Sequence, residues 1–519
     1  MNMPLLDTLI LFAYLIGIFA LAQWVSRERA GHAKDSKDYF LAGKSLPWWA
    51  IGASLIAANI SAEQIIGMSG SGYALGLAIA SYEWMAAITL LIVGKYFLPV
   101  FLRNGIMTMP QFLENRYGSR IRTVMAVFWL VLYVFVNLTS ILWLGSIAVS
   151  RVTGIGQTTA LILLGLFAFA YQLYGGLKAV ALTDIVQVSL LVLGGVAITA
   201  LTLAQIGDGS VVAGFHELIK QRPEHFHMIL SRDNPYYKDL PGLGVLLGGL
   251  WVMNFSYWGF NQYIIQRGLA ARSIEEAQKG VLFAALLKLL VPVIVVIPGI
   301  AALLIAPGLD KPDQAYPTLM AMLPSGALGL VFAALVAAVL ASLASKINSI
   351  ATIFTLDFYS RISGTKDEAR LVRVGRIAAA LSVLLAVLTA KPLLGSFDQA
   401  FQYIQDFTGY FTPGITVIFL LGLFWKRANE AGALAAAIGS VALSIVVRLA
   451  MPEFPFMNRV GIVFLIALLL GVVVSLATAP QPVRDTIRTD DVSFRTGTVF
   501  NIGAVIVTVV VAALYLHFW

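Results

Sequence analysis

Runs of about 20 apolar residues recur along almost the whole chain, and they constrain its fold more than any other feature. Of the 519 residues, 59% are hydrophobic and 12% are charged, against roughly a quarter charged in an ordinary soluble protein. A lone segment that crosses the hydrocarbon core satisfies its backbone polar groups by forming a helix. The sequence therefore predicts an all-α polytopic membrane protein in a lipid bilayer, and it excludes a soluble enzyme.

The apolar runs predict about fourteen transmembrane helices. Lysine and arginine gather in alternate loops, so the positive-inside rule places both the N- and C-termini outside the plasma (inner) membrane. The net charge of +8 arises in these loops and does not indicate nucleic-acid binding. The predicted spans cover residues 5–25, 48–73, 77–102, 121–150, 155–174, 178–206, 241–266, 277–306, 326–360, 371–390, 398–424, 430–451, 460–479 and 497–518.

One of these spans contains a polar stretch, Ala57-Ala58-Asn59-Ile60-Ser61-Ala62-Glu63-Gln64. Unpartnered polar groups are costly at membrane depth, and the glycines that follow within two turns weaken a helix further. The stretch predicts a broken helix whose freed carbonyls and side chains line a cavity, as at the binding sites of secondary transporters. The alternative is a polar contact between helices of a bundle.

A long polar segment, 207–240, divides two blocks of five predicted spans, and each block opens with a glycine-interrupted segment. An odd number of spans inverts the second block relative to the first, and paired interrupted segments indicate the site of an inverted-repeat transporter. The predicted units are a first helix and cytoplasmic loop (1–47), a first repeat (48–206), an extracellular loop (207–240), a second repeat (241–424) and three flanking helices (425–519).

Several polar and ionisable residues lie inside other spans. Glu83 and Lys288 carry opposite charges, Asn254 shares a helical face with Tyr257 and Trp258, and Gln402, Gln405 and Asp406 fall in the eleventh span. Hydrogen-bond donors and acceptors beside aromatic faces suit a neutral polyol such as a sugar, since each hydroxyl both donates and accepts. Glu83 and Lys288 could instead be a buried ion pair that holds two helices together.

The chain resembles a known family over nearly its whole length. The most specific stretches are Asp38 to Trp49 (DYFLAGKSLPWW), the 57–64 segment, Gly175-Gly176-Leu177 with Thr183-Asp184, Tyr257 to Tyr263 (YWGFNQY) and Gln402 to Gln405 (QYIQ). On these the chain is similar to the solute:sodium symporter family, of the sodium/glucose cotransporter type, which includes bacterial sodium/galactose symporters. The resemblance implies a leucine-transporter fold with five-plus-five inverted repeats and flanking helices.

The resemblance also implies roles for particular residues. It implies sugar contacts at Gln64, Glu83, Asn254, Lys288 and Gln405, an outer gate of Met68, Tyr82 and Phe401, and an inner gate of Tyr257 and Trp258. Asn59 would link the sugar site to a sodium site. That site would use carbonyls of Ala57, Ile60 and Ala338 and the hydroxyl of Ser342.

Three positions depart from the family pattern. Ala86 replaces a serine that contacts sugar, and Ala341 replaces one of two paired hydroxyls at the sodium site. Lys346 stands where the family has an uncharged residue. Because Lys346 lies one turn beyond Ser342 and leans back toward it, its ammonium could occupy the sodium position and bond to the carbonyls of Ala57 and Ile60. Alternatively, Lys346 turns to the cytoplasmic side and pairs with Asp184.

These observations predict a secondary active transporter that moves a glucose- or galactose-like monosaccharide by alternating access. Family-typical sodium symport through a degraded site competes with sodium-independent transport, either uniport or proton-coupled, in which Lys346 replaces the cation. Another small polar solute is a further alternative, although Glu83 would repel a carboxylate substrate. An ion channel would need a repeated pore-lining ring, which the sequence does not contain.

Overall fold

The computed structural model describes residues 3–26, 46–106, 108–174, 177–365, 367–480 and 492–519. Residues 38–45 and 175–176 of the resemblance stretches, and the side chain of Asp184, lie outside the described part. The helices run Leu5–Ser26, Trp48–Asn59, Glu63–Arg103, Met109–Arg116, Ser119–Thr153, Gln157–Tyr174, Leu177–Ile206, Val211–Gln221, Pro223–Phe226, Leu243–Leu247, Gly249–Phe255, Ser256–Phe260, Gln262–Leu269, Ile274–Ile305, Pro312–Gln314, Ala315–Met320, Ala327–Ser363, Glu368–Leu394, Ala400–Thr408, Thr412–Phe424, Glu430–Ala450, Phe456–Ala477 and Thr498–His517.

The prediction of an all-helical membrane protein is confirmed in its coarse form. Across the described residues, nine helices are long and apolar enough to cross a membrane, or ten if one bent pair counts as a single span. Two shorter apolar helices, 5–18 and 157–170, add to these. The described residues contain no β-strand, and an isolated bridge joins Leu46 to Ala271.

Gly76 divides the long helical stretch Glu63–Arg103 at the boundary that the sequence predicts between two spans. Its φ of +72° lies in the left-handed region that glycine adopts readily. A Cβ at this position would lie 2.3 Å from the carbonyl oxygen of His225, so the close approach of the 207–240 segment also requires glycine here.

The polar stretch near residue 60 does break its helix. The helix Trp48–Asn59 is followed by Ile60, whose φ of −74° and ψ of 102° are extended. The next helix begins at Glu63, where the Ser61 hydroxyl accepts a bond from the Glu63 N–H at 3.2 Å, as a capping serine does. The N–H groups of Gln64 and Ile65 bond to the Ser61 carbonyl at 3.1 and 3.0 Å. They are therefore turned away from the carbonyls at the end of the first half-helix.

A second break repeats this geometry in the other predicted block. Asn261 is extended, with φ −80° and ψ 122°, between Ser256–Phe260 and Gln262–Leu269. Its carbonyl accepts from the N–H groups of Ile264 and Ile265 at 3.1 and 3.0 Å, just as the Ser61 carbonyl does from the residues three and four positions on. Two helices therefore break with the same local hydrogen bonding, and both carry predicted site residues.

Aromatic packing fixes the second break against its neighbours. The Phe260 ring stacks on Phe419 with centroids 4.6 Å apart and on Phe97 at 5.1 Å. Phe419 belongs to Thr412–Phe424, which is bent by 47° from Ala400–Thr408. Because stacked buried rings contribute beyond their buried area, this cluster holds the end of Ser256–Phe260, directly before the break, in place.

Asp7 caps the helix that carries Ala338, Ser342 and Lys346. Its carboxylate accepts from the N–H groups of Gly326 and Gly329, both at 2.7 Å, and from the Ser325 hydroxyl at 3.0 Å. The side chain is fully buried, and a negative charge at a helix N-terminus is favourable.

We expect Asp7→Ala to lower stability by about 1–3 kcal/mol, because it removes the acceptor of three hydrogen bonds and leaves the buried Gly329 N–H without a partner. The change would be measured as a fall in the melting temperature of the purified protein in detergent. Thr8→Ala is the matched control, since the Thr8 hydroxyl bonds only to the nearby Pro4 carbonyl, at 3.1 Å. Equal stability of both variants and the wild type would contradict the capping role.

Candidate functional site

The centre of the candidate site is the ion pair of Lys288 and Glu83. Lys288 is 0% exposed and Glu83 2%. The ammonium donates to a Glu83 carboxylate oxygen and to the Asn59 side-chain oxygen, and it lies 4.9 Å from the centroid of the Trp258 ring. Charges at membrane depth are retained where they are paired and functional. The structure thus brings together the two charged residues predicted for the sugar site.

Hydrogen bonds extend this pair into a continuous relay. Gln64 Nε2 donates to Glu83 Oε1 at 3.2 Å. In the other direction, Asn59 Nδ2 donates to the Tyr257 hydroxyl at 3.2 Å, which also accepts from the Tyr263 hydroxyl at 2.8 Å. The relay links both broken helices to the helices of Glu83 and Lys288.

Asn254 and Gln405 do not join the relay directly. Among the described residues neither side chain hydrogen-bonds to the Glu83–Lys288 pair, although Gly249–Phe255 packs against the Glu83 helix and Ala400–Thr408 packs against the Gln64 segment. Of the five predicted sugar contacts, two have a buried amide atom without a partner among the described residues: the Nδ2 donor of Asn254 and the Oε1 acceptor of Gln64. The predicted sugar contacts therefore include one free hydrogen-bond donor and one free acceptor.

Aromatic and apolar residues predicted as gates are buried in contact with one another. Tyr82 and Phe401 meet edge to face with centroids 5.1 Å apart, and Met68 is fully buried. Tyr257 and Trp258 meet edge to face at 5.1 Å. Each predicted gate thus contains an edge-to-face aromatic pair.

Acidic residues surround the extramembrane approach to Tyr82. Burial, followed by repulsion from Asp406 and Asp398, raises the pKa of Asp239 in the 207–240 segment to about 6. The Tyr82 hydroxyl lies in the electrostatic field of Asp239 and Asp406. Asp406 is itself paired with Arg459, so Asp239 and Asp398 supply the remaining negative charge at this mouth, which disfavours an anionic solute.

A cavity of about 40 Å³ lies where the sodium site is predicted. A water molecule needs roughly 10–15 Å³ by this measure, so the cavity has room for a few waters or one small ion. Lys346, Tyr263 and Arg267 line the cavity. So do all five positions that the sequence analysis assigns to the sodium site: Ala57, Ile60, Ala338, Ala341 and Ser342.

Lys346 lies at this cavity but does not take the pose predicted for a sodium substitute. Its ammonium is 3.4 Å from the centroid of the Tyr263 ring and 5.2 Å from that of Tyr133. Among the described residues it donates no hydrogen bond to the carbonyls of Ala57 or Ile60. A cation on an aromatic face is stabilised most when it is desolvated, and Lys346 is 7% exposed.

Glu63 is a residue of this site that the sequence reasoning missed. Its Oε1 accepts from the Ser140 hydroxyl at 2.6 Å, and its charge attracts Lys346. The signal was present, since Glu63 is the charged residue of the broken stretch. It was overlooked because the neighbouring Gln64 matched a family sugar contact and Glu63 did not.

Comparison with known proteins identifies the family. The model of the sodium:solute symporter family matches residues 39–439. The chain is 49% identical to the sodium/glucose cotransporter of Vibrio parahaemolyticus, over 100% of this chain and 99% of that protein. It is 33% identical to the sodium/myo-inositol cotransporter 2 of Homo sapiens, over 85% of this chain and 69% of that protein. The chain therefore belongs to the sodium:solute symporter family and is a transporter rather than an enzyme.

A solved structure shows the same fold. The substrate-bound, outward-open state of a Na⁺-coupled sialic acid symporter aligns with a TM-score of 0.74 at 23% identity, over 92% of this chain and 99% of that chain. Together with the broken helices, this likeness supports the leucine-transporter fold that the resemblance implied, whereas the fourteen spans and the inverted repeats stay predictions.

We expect Glu83→Gln and Lys288→Met each to destabilise the protein by roughly 3–5 kcal/mol, because each leaves a buried charge without its partner. The double variant should recover most of this loss, since it removes both charges together. Thermal unfolding in detergent measures all three. Single variants as stable as the wild type would show that the pair is not desolvated as the structure has it.

Proposed function

We propose that this member of the family moves a monosaccharide, glucose- or galactose-like, across the plasma membrane by alternating access. The observation that carries the proposal is the buried Gln64–Glu83–Lys288–Asn59 network with its uncommitted amide atoms. The network itself offers a carboxylate acceptor, an ammonium donor and the free Gln64 Oε1, and Asn254 adds a free amide donor from a helix packed beside it. The cotransporters of glucose and myo-inositol to which the chain is similar support a polyol substrate.

The chemistry of the network favours a neutral, hydroxyl-rich solute. A sugar hydroxyl can donate to Glu83 while accepting from Lys288 or Asn254, and an aromatic face such as Trp258 suits the apolar face of a pyranose ring. A carboxylate substrate would meet repulsion from Glu83 and from the acidic mouth around Asp239. We therefore place sialic acids and amino acids behind sugars as substrates, with another small polar solute as the alternative.

We propose that Met68, Tyr82 and Phe401 close the outer side of the sugar site, and that Tyr257 and Trp258 close the inner side. The Tyr82–Phe401 contact lies toward the acidic mouth. Tyr257 stands between Asn59 and Tyr263 in the relay, so its position depends on the second broken helix. Alternate loosening of the two aromatic contacts would open the site to one side at a time.

We further propose fourteen spans, of which ten form two inverted repeats, 48–206 and 241–424, with both termini outside. The matched breaks at Ile60 and Asn261 support the repeats, since each interrupts the opening helix of its block with the same hydrogen bonding. The 1–47 segment, the 207–240 extracellular loop and the 425–519 helices would flank them.

The decisive experiment is sugar uptake into proteoliposomes with a panel of monosaccharides. Gln64→Ala and Asn254→Ala should each weaken binding of the transported sugar roughly 5- to 150-fold, because each removes one partner of a buried hydrogen bond worth about 1–3 kcal/mol. Gln405→Ala should weaken binding as well, if the Ala400–Thr408 helix closes over the sugar. Wild-type affinity in all three variants would place the sugar elsewhere.

Two cation mechanisms remain, and the family favours sodium symport. Sodium, as co-substrate, would be held by the carbonyls of Ala57, Ile60 and Ala338 with the Ser342 hydroxyl. Ala341 removes one oxygen from this set, and the positive charges of Lys346 and Arg267 at the same cavity oppose a cation. The expected result is a weakened sodium site.

The second mechanism is favoured by one observation, the desolvated ammonium of Lys346 at the cavity wall. Held between the Tyr263 ring and the charge of Glu63, it supplies a resident positive charge at the wall of the cavity that the predicted sodium ligands line. Sugar transport would then proceed without sodium, either as uniport or coupled to protons.

We expect Lys346→Met combined with Ala341→Ser to increase the dependence of uptake on sodium, because the double change removes a competing charge and restores a hydroxyl ligand. Uptake is compared in sodium and in potassium, with Ala341→Ser alone as the control for the ligand. Wild-type uptake that collapses without sodium would rule out the resident-charge mechanism and leave symport through the weakened site.

A further inference from the structure

Tyr263 contacts the cation cavity and the inner gate with different parts of one side chain. It lies on Gln262–Leu269, directly after the break at Asn261. Its ring lines the cavity, and its hydroxyl bonds to Tyr257. No prediction from the sequence gave this residue a role.

The ring is the surface on which Lys346 rests. The ammonium-to-centroid distance of 3.4 Å is shorter than that to Tyr133, at 5.2 Å, or that of Lys288 over Trp258, at 4.9 Å. Because Lys346 donates no hydrogen bond to any described residue, the aromatic face and the field of Glu63 are what stabilise its charge. Loss of the ring would leave a buried ammonium poorly stabilised.

The hydroxyl holds the inner gate. The Tyr257 hydroxyl accepts from Tyr263 at 2.8 Å and from Asn59 at 3.2 Å. Asn59 in turn accepts from Lys288, so the gate, the sugar network and Tyr263 form one bonded sequence. Tyrosine is rigid between its ring and its hydroxyl, so any shift of the ring displaces the hydroxyl bond as well.

We propose that Tyr263 is the positioning residue that couples the cation cavity to the inner gate: its ring seats the Lys346 ammonium and its hydroxyl fixes Tyr257 over the sugar site. Movement of the charge at the cavity is thereby transmitted to the gate through one side chain. The inference rests on the proposed sugar site, but it holds whether or not sodium also enters the cavity.

Three double-mutant cycles separate the role of the ring from that of the hydroxyl. Equilibrium binding of D-glucose or D-galactose, whichever is transported, is measured on the full-length protein at one fixed salt composition. Tyr263→Phe and Tyr257→Phe should each weaken binding roughly tenfold, and their combination should be no worse than either alone. The losses of affinity caused by Tyr263→Leu and Lys346→Met should likewise not multiply in the double variant. The losses caused by Tyr263→Phe and Lys346→Met should multiply, because phenylalanine keeps the ring on which the ammonium lies.

Lys95 and Tyr96 provide the matched control, since they form a lysine–tyrosine pair away from the site. The Lys95 ammonium is 5.5 Å from the Tyr96 ring centroid, and Tyr96 is exposed. Tyr96→Leu and Lys95→Met should leave sugar affinity within about twofold of the wild type, singly and together. The proposal would be overturned if the losses of affinity multiplied in the Tyr263→Phe/Tyr257→Phe cycle and also in the Tyr263→Leu/Lys346→Met cycle.

A second measurement reads the gate without any sugar. The chain contains no cysteine, so Ala86→Cys introduces a single thiol at a buried position where the family has a sugar-contacting serine. Tyr263→Phe should increase the labelling rate of this thiol severalfold, and Tyr96→Phe should not. Unchanged labelling in Tyr263→Phe would contradict the gate role. If Tyr263→Phe increased the labelling rate but the protein bound no sugar, the proposed substrate would be rejected and the coupling role of Tyr263 would stand.

Discussion

The Glu83–Lys288 ion pair is the interaction on which the rest of the site depends. Two charges inside a membrane-embedded bundle are tolerated only when they neutralise each other and their remaining hydrogen-bond capacity is used. Gln64 and Asn59 use part of that capacity, and both lie at the first helix break. The pair therefore fixes the first broken helix against two unbroken ones, and it presents polar groups at a depth where an apolar bundle would have none.

The two helix breaks allow residues of different helices to join the hydrogen-bond network. An unbroken helix bonds its own carbonyls and presents only side chains, whereas the extended residues Ile60 and Asn261 redirect the backbone. The first break opens onto the cavity that Lys346 and Tyr263 line. The second brings Tyr257 into contact with Asn59, and Tyr263 into contact with Tyr257. The Gln64–Glu83–Lys288–Asn59 network and the cavity at Lys346 are thus neighbours, because residues at the same two helix breaks contribute to both.

The sequence by itself determined the class of the protein and predicted most residues of the candidate site. Apolar runs of bilayer length require helices. The polar stretch around Asn59 predicted the first break to within a few residues, because polar groups without partners are costly at membrane depth. Ionisable residues inside spans identified Glu83 and Lys288 on the same ground. The family resemblance supplied Ala57, Ile60 and their partners, and the cavity does lie among them.

Only the tertiary structure decided which groups meet. Spacing along a helix cannot show that Glu63 accepts from Ser140, 77 residues away, or that the Lys346 ammonium lies on Tyr263 rather than on the carbonyls of Ala57 and Ile60. A lysine side chain has four rotatable bonds, so its helical face limits its position without fixing it. Packing between distant helices makes that choice, since a desolvated charge goes to the best stabilising surface within its reach, and that surface comes from another part of the chain.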